Sequence, residues 1–274
     1  MNTGLIERGR RRVTHFDHIE LAMGTGFSFR GISHLESALT NAAIEKACAI
    51  MHEADETFSL YKPASPLSRL AAGETSLDKL PAVVAEIWDE CGRLEKLTGG
   101  WFCAFTPQHT FDPSGLVKSW AAKRAADSLV ASGITDFTLN AGGDIYIADG
   151  ATEDDSWRVG ISKPVSIASE DSGALAVVDL RDTSYRGVAT SGSAERGSHI
   201  WNPKNPEQDP AQTLQQITVI ARDVVTADVW ATAAFAEGID SLRRLHAQPD
   251  IEALAVLADG QLAATPGFQA LLAK

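Results

Sequence analysis

Residues 111–150 contain backbone and side-chain groups whose spacing suits the binding of an anion. Asp112 to Gly115 form a turn-prone cluster, after which residues recur at helical spacing until Ser132 and Gly133 end the run. Lys118 therefore lies near the start of a predicted helix. There, unpaired N–H groups and the positive end of the helix dipole attract an anion such as a phosphate. An ordinary helix with a solvated lysine explains these residues equally well.

A glycine pair follows in the same stretch. Residues 137–139 start a predicted strand, Gly142 and Gly143 interrupt it, and an extended run resumes at Asp144. Such a pair marks a bulge or a close approach of the backbone to a ligand. The sequence has neither a G-x-x-x-x-G-K-[ST] loop nor a G-x-G-x-x-G fingerprint, so a nucleotide would be bound without these two common motifs.

Asp228 and Thr232 are candidate ligands for a metal ion. They are four residues apart in a predicted helix that begins near Thr226, so both side chains lie on one face. A carboxylate and a hydroxyl one turn apart can hold a hard cation such as Mg²⁺ together with carbonyls and waters. Spacing alone favours the simpler interpretation, in which an aspartate near the helix start interacts with the helix dipole.

His199 is a candidate for proton transfer. It follows the small, turn-prone residues Thr190, Ser191 and Gly192. Imidazole is the side chain best suited to exchange a proton near neutral pH, although a single histidine more often has a surface or structural role.

Hydrophobic periodicity and turn residues predict the elements that must position these groups. Pro63 and Pro66 indicate a loop over residues 59–70, in which Ser65 caps a short helix. Helices are predicted over residues 35–58, from Pro81 to Thr98, and after residue 239. Strands are predicted over 15–21, 27–32, 157–161, 175–180, 217–221 and 253–258.

The bulk composition indicates a globular protein. The 274 residues are 44% hydrophobic and 22% charged, which is enough for a sizeable core. The net charge of −12 argues against a nucleic-acid partner. Three scattered cysteines without a C-x-x-C pair fit a reducing compartment, and no run of about 18 apolar residues predicts a membrane span.

Residues 1–14 are predicted to be a basic, flexible tail, followed by a single domain over residues 15–274. Four arginines between Arg8 and Arg12 resemble the basic start of a signal sequence, but the following stretch contains two His, an Asp and a Glu. That stretch cannot serve as an apolar signal core. We therefore expect a cytoplasmic location.

The order Asp-x-x-Gly-x-x-Lys (112–118), helix, Asn-Ala-Gly-Gly-Asp (140–144) resembles the central signature of the ApbE-like FAD:protein FMN transferases. Three further blocks are similar to that family in the same order: MGTGFSF (23–29), TSGSAERGSHIWNP (190–203) and ADVWATA (227–233). Each block alone is a weak signal, but four in register between about residue 20 and residue 240 are a strong one. The resemblance implies an α+β, T-fold-like domain in which helices pack on an antiparallel or mixed sheet.

The resemblance also implies contacts with FAD, the substrate that carries the flavin. The expected contacts, which include the glycine pair, are Met23, Tyr61, Trp101, Phe102, Cys103, Asp112, Lys118, Gly142, Gly143 and Ile200. Cys103 stands where the family often has Asp, so a polar contact there is lost or replaced by backbone. Asn202 replaces an Asp that usually follows the histidine, so either the Asn amide orders the neighbouring loop in its place or that function is weakened.

For Mg²⁺, the resemblance implies Asp228, Thr232 and the carbonyls of Gly115 and Ala231 as ligands. The implied catalytic residues are Lys118, which neutralises phosphate charge, and His199 or Asp112, which accept the hydroxyl proton. His199 is the better candidate for that proton, because imidazole is the side chain best suited to proton transfer near neutral pH.

The implied reaction is Mg²⁺-dependent transfer of FMN from FAD to a Thr or Ser hydroxyl of an acceptor flavoprotein, with release of AMP. Two alternatives use the same residues. One is an Mg²⁺-dependent FAD pyrophosphatase, for which water is the acceptor. The other is a flavin-binding protein without catalytic activity, which the Cys103 and Asn202 departures leave open.

Overall fold

A computed structural model describes residues 13–152, 157–164, 173–192 and 200–274. Within this part of the chain, one eight-stranded sheet has the order β1-β2-β3-β4-β7-β8-β9-β10, and every neighbouring pair is antiparallel. Its strands are β1 (Thr14–Ala22), β2 (Thr25–Ser33), β3 (Asp136–Ala141), β4 (Asp144–Ile147), β7 (Gly187–Gly192), β8 (Leu214–Ala221), β9 (Ile251–Leu257) and β10 (Leu262–Ala264). A separate pair consists of β5 (Arg158–Ile161) and β6 (Ala176–Asp179). The predicted α+β class is confirmed, and the sheet is antiparallel throughout.

Six α-helices accompany the sheet in the described residues: α1 (Ser37–Phe58), α2 (Pro66–Ala71), α3 (Ala82–Leu97), α4 (Ser114–Ala131), α5 (Val224–Glu237) and α6 (Ser241–His246). The predicted cap of α2 is confirmed, because Ser65 Oγ accepts a hydrogen bond from Ser68 N at 3.0 Å. Asp223 caps α5 in the same way, accepting from Thr226 N at 2.9 Å. The predicted helix after residue 239 is the short α6. Within the described residues, no helix combines the length and apolar composition needed to cross a membrane.

Both faces of the central strands are packed against other elements, because successive side chains of β4 and β8 belong to apolar clusters on opposite faces of the sheet. Tyr146 and Val219 point toward the helices, whereas Ile147 and Ile220 join a cluster with the β5–β6 pair. The helical side has two apolar clusters, one between α1, α4 and β2–β4 and one between α3, α4, α5 and β7–β9. Both clusters include α4, whose many alanines let it pack closely against its neighbours.

The glycine pair forms the turn between β3 and β4. Gly142 and Gly143 have φ of 59° and 102°, which suits a two-residue hairpin turn, and Gly143 N donates to Asn140 Oδ1 at 2.8 Å. The β1–β2 turn is similar, with Met23 at φ 50° and Gly24 at φ 72°. Strand register brings both turns to the end of the sheet where β7 finishes, because Phe27 pairs with Ala141 and Ile145 with Val188.

Candidate active site

A cleft of about 820 Å³, a volume that includes the solvent at its mouth, lies where α4, α5 and the end of β7 meet. The start of α4 provides one wall, α5 provides a second, and Thr190 to Gly192 of β7 form part of the floor. Two loop segments, Trp101–Cys103 and Ile200–Pro203, complete the lining. Segments far apart in the sequence therefore meet in one cavity, the kind of place in which small ligands bind.

The start of α4 presents polar groups to this cleft. Asp112 Oδ1 accepts a hydrogen bond from Ser114 N at 3.0 Å, which fixes the turn that leads into the helix. Gly115 lies beside α5, since a Cβ placed on it would be 3.9 Å from Thr232 Oγ1. Lys118, one turn further along the helix, also lines the cleft and has only 18% of its side chain exposed. The interpretation of Lys118 as a solvated surface lysine is therefore wrong.

Lys118 forms an ion pair with Asp144, whose side chain is 1% exposed. The distance from Lys118 Nζ to Asp144 Oδ2 is 2.6 Å, and Asp144 Oδ1 accepts from Thr190 N at 3.4 Å. Burial, and next the negative charge of nearby Asp228, raise the pKa of Asp144 to about 7, although Lys118 acts in the opposite direction. Two buried acidic groups therefore lie close to one lysine at this side of the cleft.

Hydroxyl groups line the floor between these charges. Thr190 Oγ1 and Thr218 Oγ1 are 2.8 Å apart and hydrogen-bonded, which ties β7 to β8 below the cleft. Ser191, which is 7% exposed, and Gly192 complete the end of β7 at the cleft. Small polar residues at this point leave room for a ligand and provide hydrogen-bonding groups for its oxygen atoms.

The loop over residues 101–103 forms the aromatic side of the cleft. Phe102 is buried and its ring packs next to Gly115, whereas Trp101 and Cys103 are partly exposed. Lys204 Nζ lies 4.1 Å above the centre of the Trp101 ring, a cation–π contact that joins the two loops of the cleft. This side is suited to a flat, conjugated ring.

Comparison with known proteins agrees with this geometry. The sequence model of the ApbE family matches residues 103–255, which is more than half of the chain. The chain belongs to the ApbE family. The matched segment contains Asp112, Lys118, Asp144 and Asp228, and the family predicted from the four sequence blocks is thereby confirmed.

Two curated relatives illustrate the similarity. A FAD:protein FMN transferase of Rhodobacter capsulatus is 30% identical over 202 residues, which cover 70% of this chain and 37% of the relative. A FAD:protein FMN transferase of Klebsiella pneumoniae is 26% identical over 159 residues, covering 55% and 46%. The chain thus spans between about a third and a half of the length of these relatives.

Solved structures show the same fold. The flavin transferase ApbE of Vibrio cholerae superposes with a TM-score of 0.75 at 20% identity, over 95% of this chain and 100% of the other. The ApbE protein of Thermotoga maritima superposes with a TM-score of 0.78 at 18% identity, with the same coverage. The ApbE fold expected from the sequence blocks is therefore confirmed.

The donor set in the cleft fits the Mg²⁺ that the sequence blocks imply for an ApbE protein. Asp228 is 5% exposed, its neighbour Thr232 faces the same cavity, and Gly115 lies directly opposite Thr232. The carboxyl of Asp144 and that of Asp228 repel each other in a buried environment, and a divalent cation would relieve that repulsion. Ala231, whose carbonyl was predicted as a ligand, is fully buried in α5.

The two departures from the ApbE pattern have different structural consequences. Cys103 Sγ donates to Phe105 O at 3.4 Å, and burial raises the pKa of its thiol, so it does not replace the charge of an Asp. Asn202, by contrast, orders its loop well. Its Oδ1 accepts hydrogen bonds from Lys204 N at 2.9 Å and from Asn205 N at 3.0 Å. An Asp at this position could accept the same two hydrogen bonds. Its Nδ2 also donates to Gln208 Oε1 at 3.2 Å, which no carboxylate could do.

Several predicted contacts lie away from the cleft lining. Tyr61 is 97% exposed, so it is not the half-buried packing residue that a loop tyrosine usually is. Met23 packs between the two helical clusters, and the hairpin geometry by itself accounts for Gly142 and Gly143. The flavin contacts of these four residues stay predictions. His199 lies outside the described residues, and its neighbour Ile200 lines the cleft.

Sequence reasoning assigned no role to Asp144, although it quoted this residue as the last of Asn-Ala-Gly-Gly-Asp. A carboxylate directly after a tight glycine turn was an available signal. Its importance became visible only when strand register placed it beside Lys118 and Thr190.

Proposed function

We propose that the chain is a Mg²⁺-dependent FAD:protein FMN transferase, which moves FMN from FAD to a Thr or Ser hydroxyl of an acceptor flavoprotein. The observation that carries this proposal is the cleft in which Lys118, Asp144, Asp228 and Thr232 meet the first turn of α4. The ApbE family match and the names of the curated relatives support it. The cytoplasmic location stays a prediction.

The reaction exchanges a phosphoanhydride bond of FAD for a phosphoester bond to the acceptor. The acceptor hydroxyl oxygen bonds to the phosphorus on the flavin side of FAD, and the bridging P–O bond breaks. AMP leaves with the electron pair of that bond, and the hydroxyl loses its proton to a base. Such transfers depend mainly on positioning and on neutralising phosphate charge.

The described residues can supply both requirements. Asp144 holds the Lys118 ammonium at 2.6 Å, which restricts it to the floor of the cleft where it can face a pyrophosphate oxygen. The positive end of the α4 dipole lies on the same side, and no acidic residue in the first turn of the helix opposes it. Trp101, Phe102 and Ile200 provide an apolar wall suited to an aromatic ring.

Asp228 and Thr232, with the carbonyls of Gly115 and Ala231, would hold Mg²⁺, which when bound supplies positive charge at the phosphate oxygens. His199 is the proposed base for the acceptor proton. Asp112 is the second candidate, although its Oδ1 already accepts a hydrogen bond from Ser114 N.

The test is AMP release from FAD by the purified chain, with and without Mg²⁺, in the presence of a protein carrying a Ser/Thr flavinylation site. We expect AMP only with Mg²⁺, together with acceptor that stays fluorescent in a denaturing gel. AMP without labelled acceptor would instead indicate FAD hydrolysis, and bound FAD without AMP would indicate a flavin-binding protein.

Two variants make the test specific. Asp228→Asn should abolish Mg²⁺-dependent release, because it removes the buried carboxylate of the proposed metal site. Asp127→Asn changes an exposed carboxylate on α4 that pairs with Lys123 at 2.6 Å, and it should leave the rate unchanged. Equal rates in the two variants would contradict the assignment of the cleft.

A further inference from the structure

Two elements outside the cleft bring together four side chains that commonly ligate transition metals. His18 and Glu20 are two residues apart on β1, so they lie on the same face of the strand. Cys48 and His52 are four residues apart on α1, so they lie on the same face of the helix. These two faces meet where α1 packs against the edge strand of the sheet.

The polar pair on β1 is unusual for its position. His18 and Glu20 occupy the half-buried face between Phe16 and Ala22, whereas the apolar neighbours Ile19 and Leu21 are 67% and 73% exposed. A strand that buries one face ordinarily directs its apolar residues toward the helix. An imidazole and a carboxylate on this inward face therefore need a hydrogen-bonding partner or a bound ion.

Three pairs of donor atoms lie near the spacing of a metal coordination shell, while His52 would have to move closer to His18 or Cys48 to complete it. Nε2 of His18 is 3.3 Å from Glu20 Oε2, Nε2 of His52 is 3.0 Å from Glu20 Oε1, and Cys48 Sγ is 3.4 Å from His18 Nε2. Four ligands bound tetrahedrally to zinc at about 2.0–2.3 Å lie about 3.3–3.6 Å from one another. The observed separations differ from these values by a few tenths of an ångström.

The three inner donors also converge on one point. The ligand atoms of His18, Glu20 and Cys48 all lie within 4.8 Å of one another. A point no more than about 2.8 Å from all three therefore exists, which is within about 0.8 Å of ordinary zinc–ligand distances. Among the described residues, no other set of three His, Cys or acidic side chains was found to be arranged in this way.

We propose that His18, Glu20, Cys48 and His52 form a binding site for a divalent transition metal, with zinc the best match. A thiolate, two imidazole nitrogens and a carboxylate suit zinc, whereas Mg²⁺ prefers oxygen ligands only. The side chains of His18, Glu20 and His52 are 39%, 27% and 50% exposed, so an ion can enter from solvent. A bound ion would join the edge strand β1 to α1, and its role would be structural.

Binding has a defined proton balance. Burial and the negative charge of Glu20 raise the pKa of the Cys48 thiol to about 12, so the sulfur carries a proton when no metal is bound. Coordination replaces the S–H bond with a bond from sulfur to the metal, and the proton is released to solvent.

Cobalt and zinc titrations of the full-length chain test this site without any measurement of turnover. The protein is first treated with a chelator and then kept in excess Mg²⁺, which occupies oxygen-rich sites. We expect one equivalent of Co²⁺ to produce a thiolate charge-transfer band in the near ultraviolet, and one equivalent of Zn²⁺ to abolish it. A hundredfold excess of zinc over its dissociation constant should raise the unfolding temperature by about 5 °C.

Three cysteine variants locate the signal. Cys48→Ala should lose the band, whereas Cys91→Ala and Cys103→Ala should keep it, since Cys91 is buried in α3 and Cys103 lies at the cleft. His52→Ala removes a half-exposed side chain, and it should weaken zinc binding by about tenfold or more. A band that survives in Cys48→Ala, or a protein that binds no Co²⁺ or Zn²⁺, would overturn the proposal. Neither result would affect the proposed transferase activity, because its test uses Mg²⁺ and FAD.

Discussion

Replacing Asp144 with asparagine is expected to stabilise the metal-free protein at alkaline pH while abolishing its activity. The Asp144 side chain is 1% exposed and pairs with Lys118 at 2.6 Å. Burial and the charge of Asp228 nevertheless raise its pKa from the ordinary value of 3.8 to about 7. The folded protein therefore disfavours the charged form of this group, even with Lys118 beside it, and an asparagine of nearly the same shape carries no charge.

The sign and size of the effect follow from proton linkage. Between pH 3.8 and about 7 the folded state binds more protons at Asp144 than the unfolded state does, so stability falls as the pH rises. At 1.36 kcal/mol per pH unit, this interval corresponds to a loss of about 4 kcal/mol that is complete above the folded pKa. The figure already contains the attraction of Lys118, because that attraction lowers the pKa.

Urea unfolding of the parent and of Asp144→Asn, with a chelator present, measures this difference. The variant should gain about 3 kcal/mol relative to the parent between about pH 5 and about pH 8, because most of the parent's loss falls in that range. Groups that do not interact with Asp144 titrate equally in both proteins and cancel in the comparison. The variant should also fail to release AMP from FAD, since Lys118 loses the carboxylate that positions it.

Asp136→Asn is the matched control. Asp136 is also buried, but it accepts hydrogen bonds from the backbone N and the hydroxyl of Thr152 rather than facing another carboxylate. Its replacement should destabilise the protein by about 1–3 kcal/mol, because polar groups lose their partner. A difference between parent and Asp144→Asn that does not change with pH would refute the account of the buried acidic pair.

Three further expectations concern the cleft and its loops. A hundredfold excess of Mg²⁺ over its dissociation constant should stabilise the parent by about 3 kcal/mol in thermal unfolding, and it should not stabilise Asp228→Asn; equal stabilisation would place the ion elsewhere. His199→Ala should lower the transfer rate far more than FAD affinity, as measured by single-turnover kinetics and fluorescence titration, and an equal loss of both would make the histidine a binding residue. Asn202→Asp should cost about 1–3 kcal/mol in urea unfolding at neutral pH, because the donor to Gln208 is lost and a carboxylate enters a position that is 5% exposed; an unchanged free energy of unfolding would contradict this account of the loop.

Local patterns in the sequence were sufficient for most of the helices and turns. The spacing of apolar residues predicted α1 and α3 to within two residues, and Ser65 with Pro66 predicted the capped start of α2. These features depend on neighbours within one or two turns of the chain, which is why the sequence alone contains them. The four blocks likewise identified the family, because motif order is a property of the sequence.

The tertiary structure decided which side chains meet. Lys118 and Asp144 are separated by a whole helix and a strand, and their contact depends on how α4 packs against β4. No periodicity encodes that packing, since it results from burying the apolar faces of the helix and of the sheet together. The glycine pair, predicted as a bulge or a close approach to a ligand, forms a tight hairpin turn, and its contact with the flavin stays a prediction.

The two proposed metal sites show this division most clearly. The sequence by itself placed Asp228 and Thr232 one turn apart, because a single helix fixes their relation. The sequence also contains His18, Glu20, Cys48 and His52, but nothing in their spacing relates the strand pair to the helix pair. That relation arose only when α1 packed against the edge strand and brought the pairs to hydrogen-bond distance. Contacts within one element are determined by backbone geometry, whereas contacts between elements are determined by the packing of the whole core.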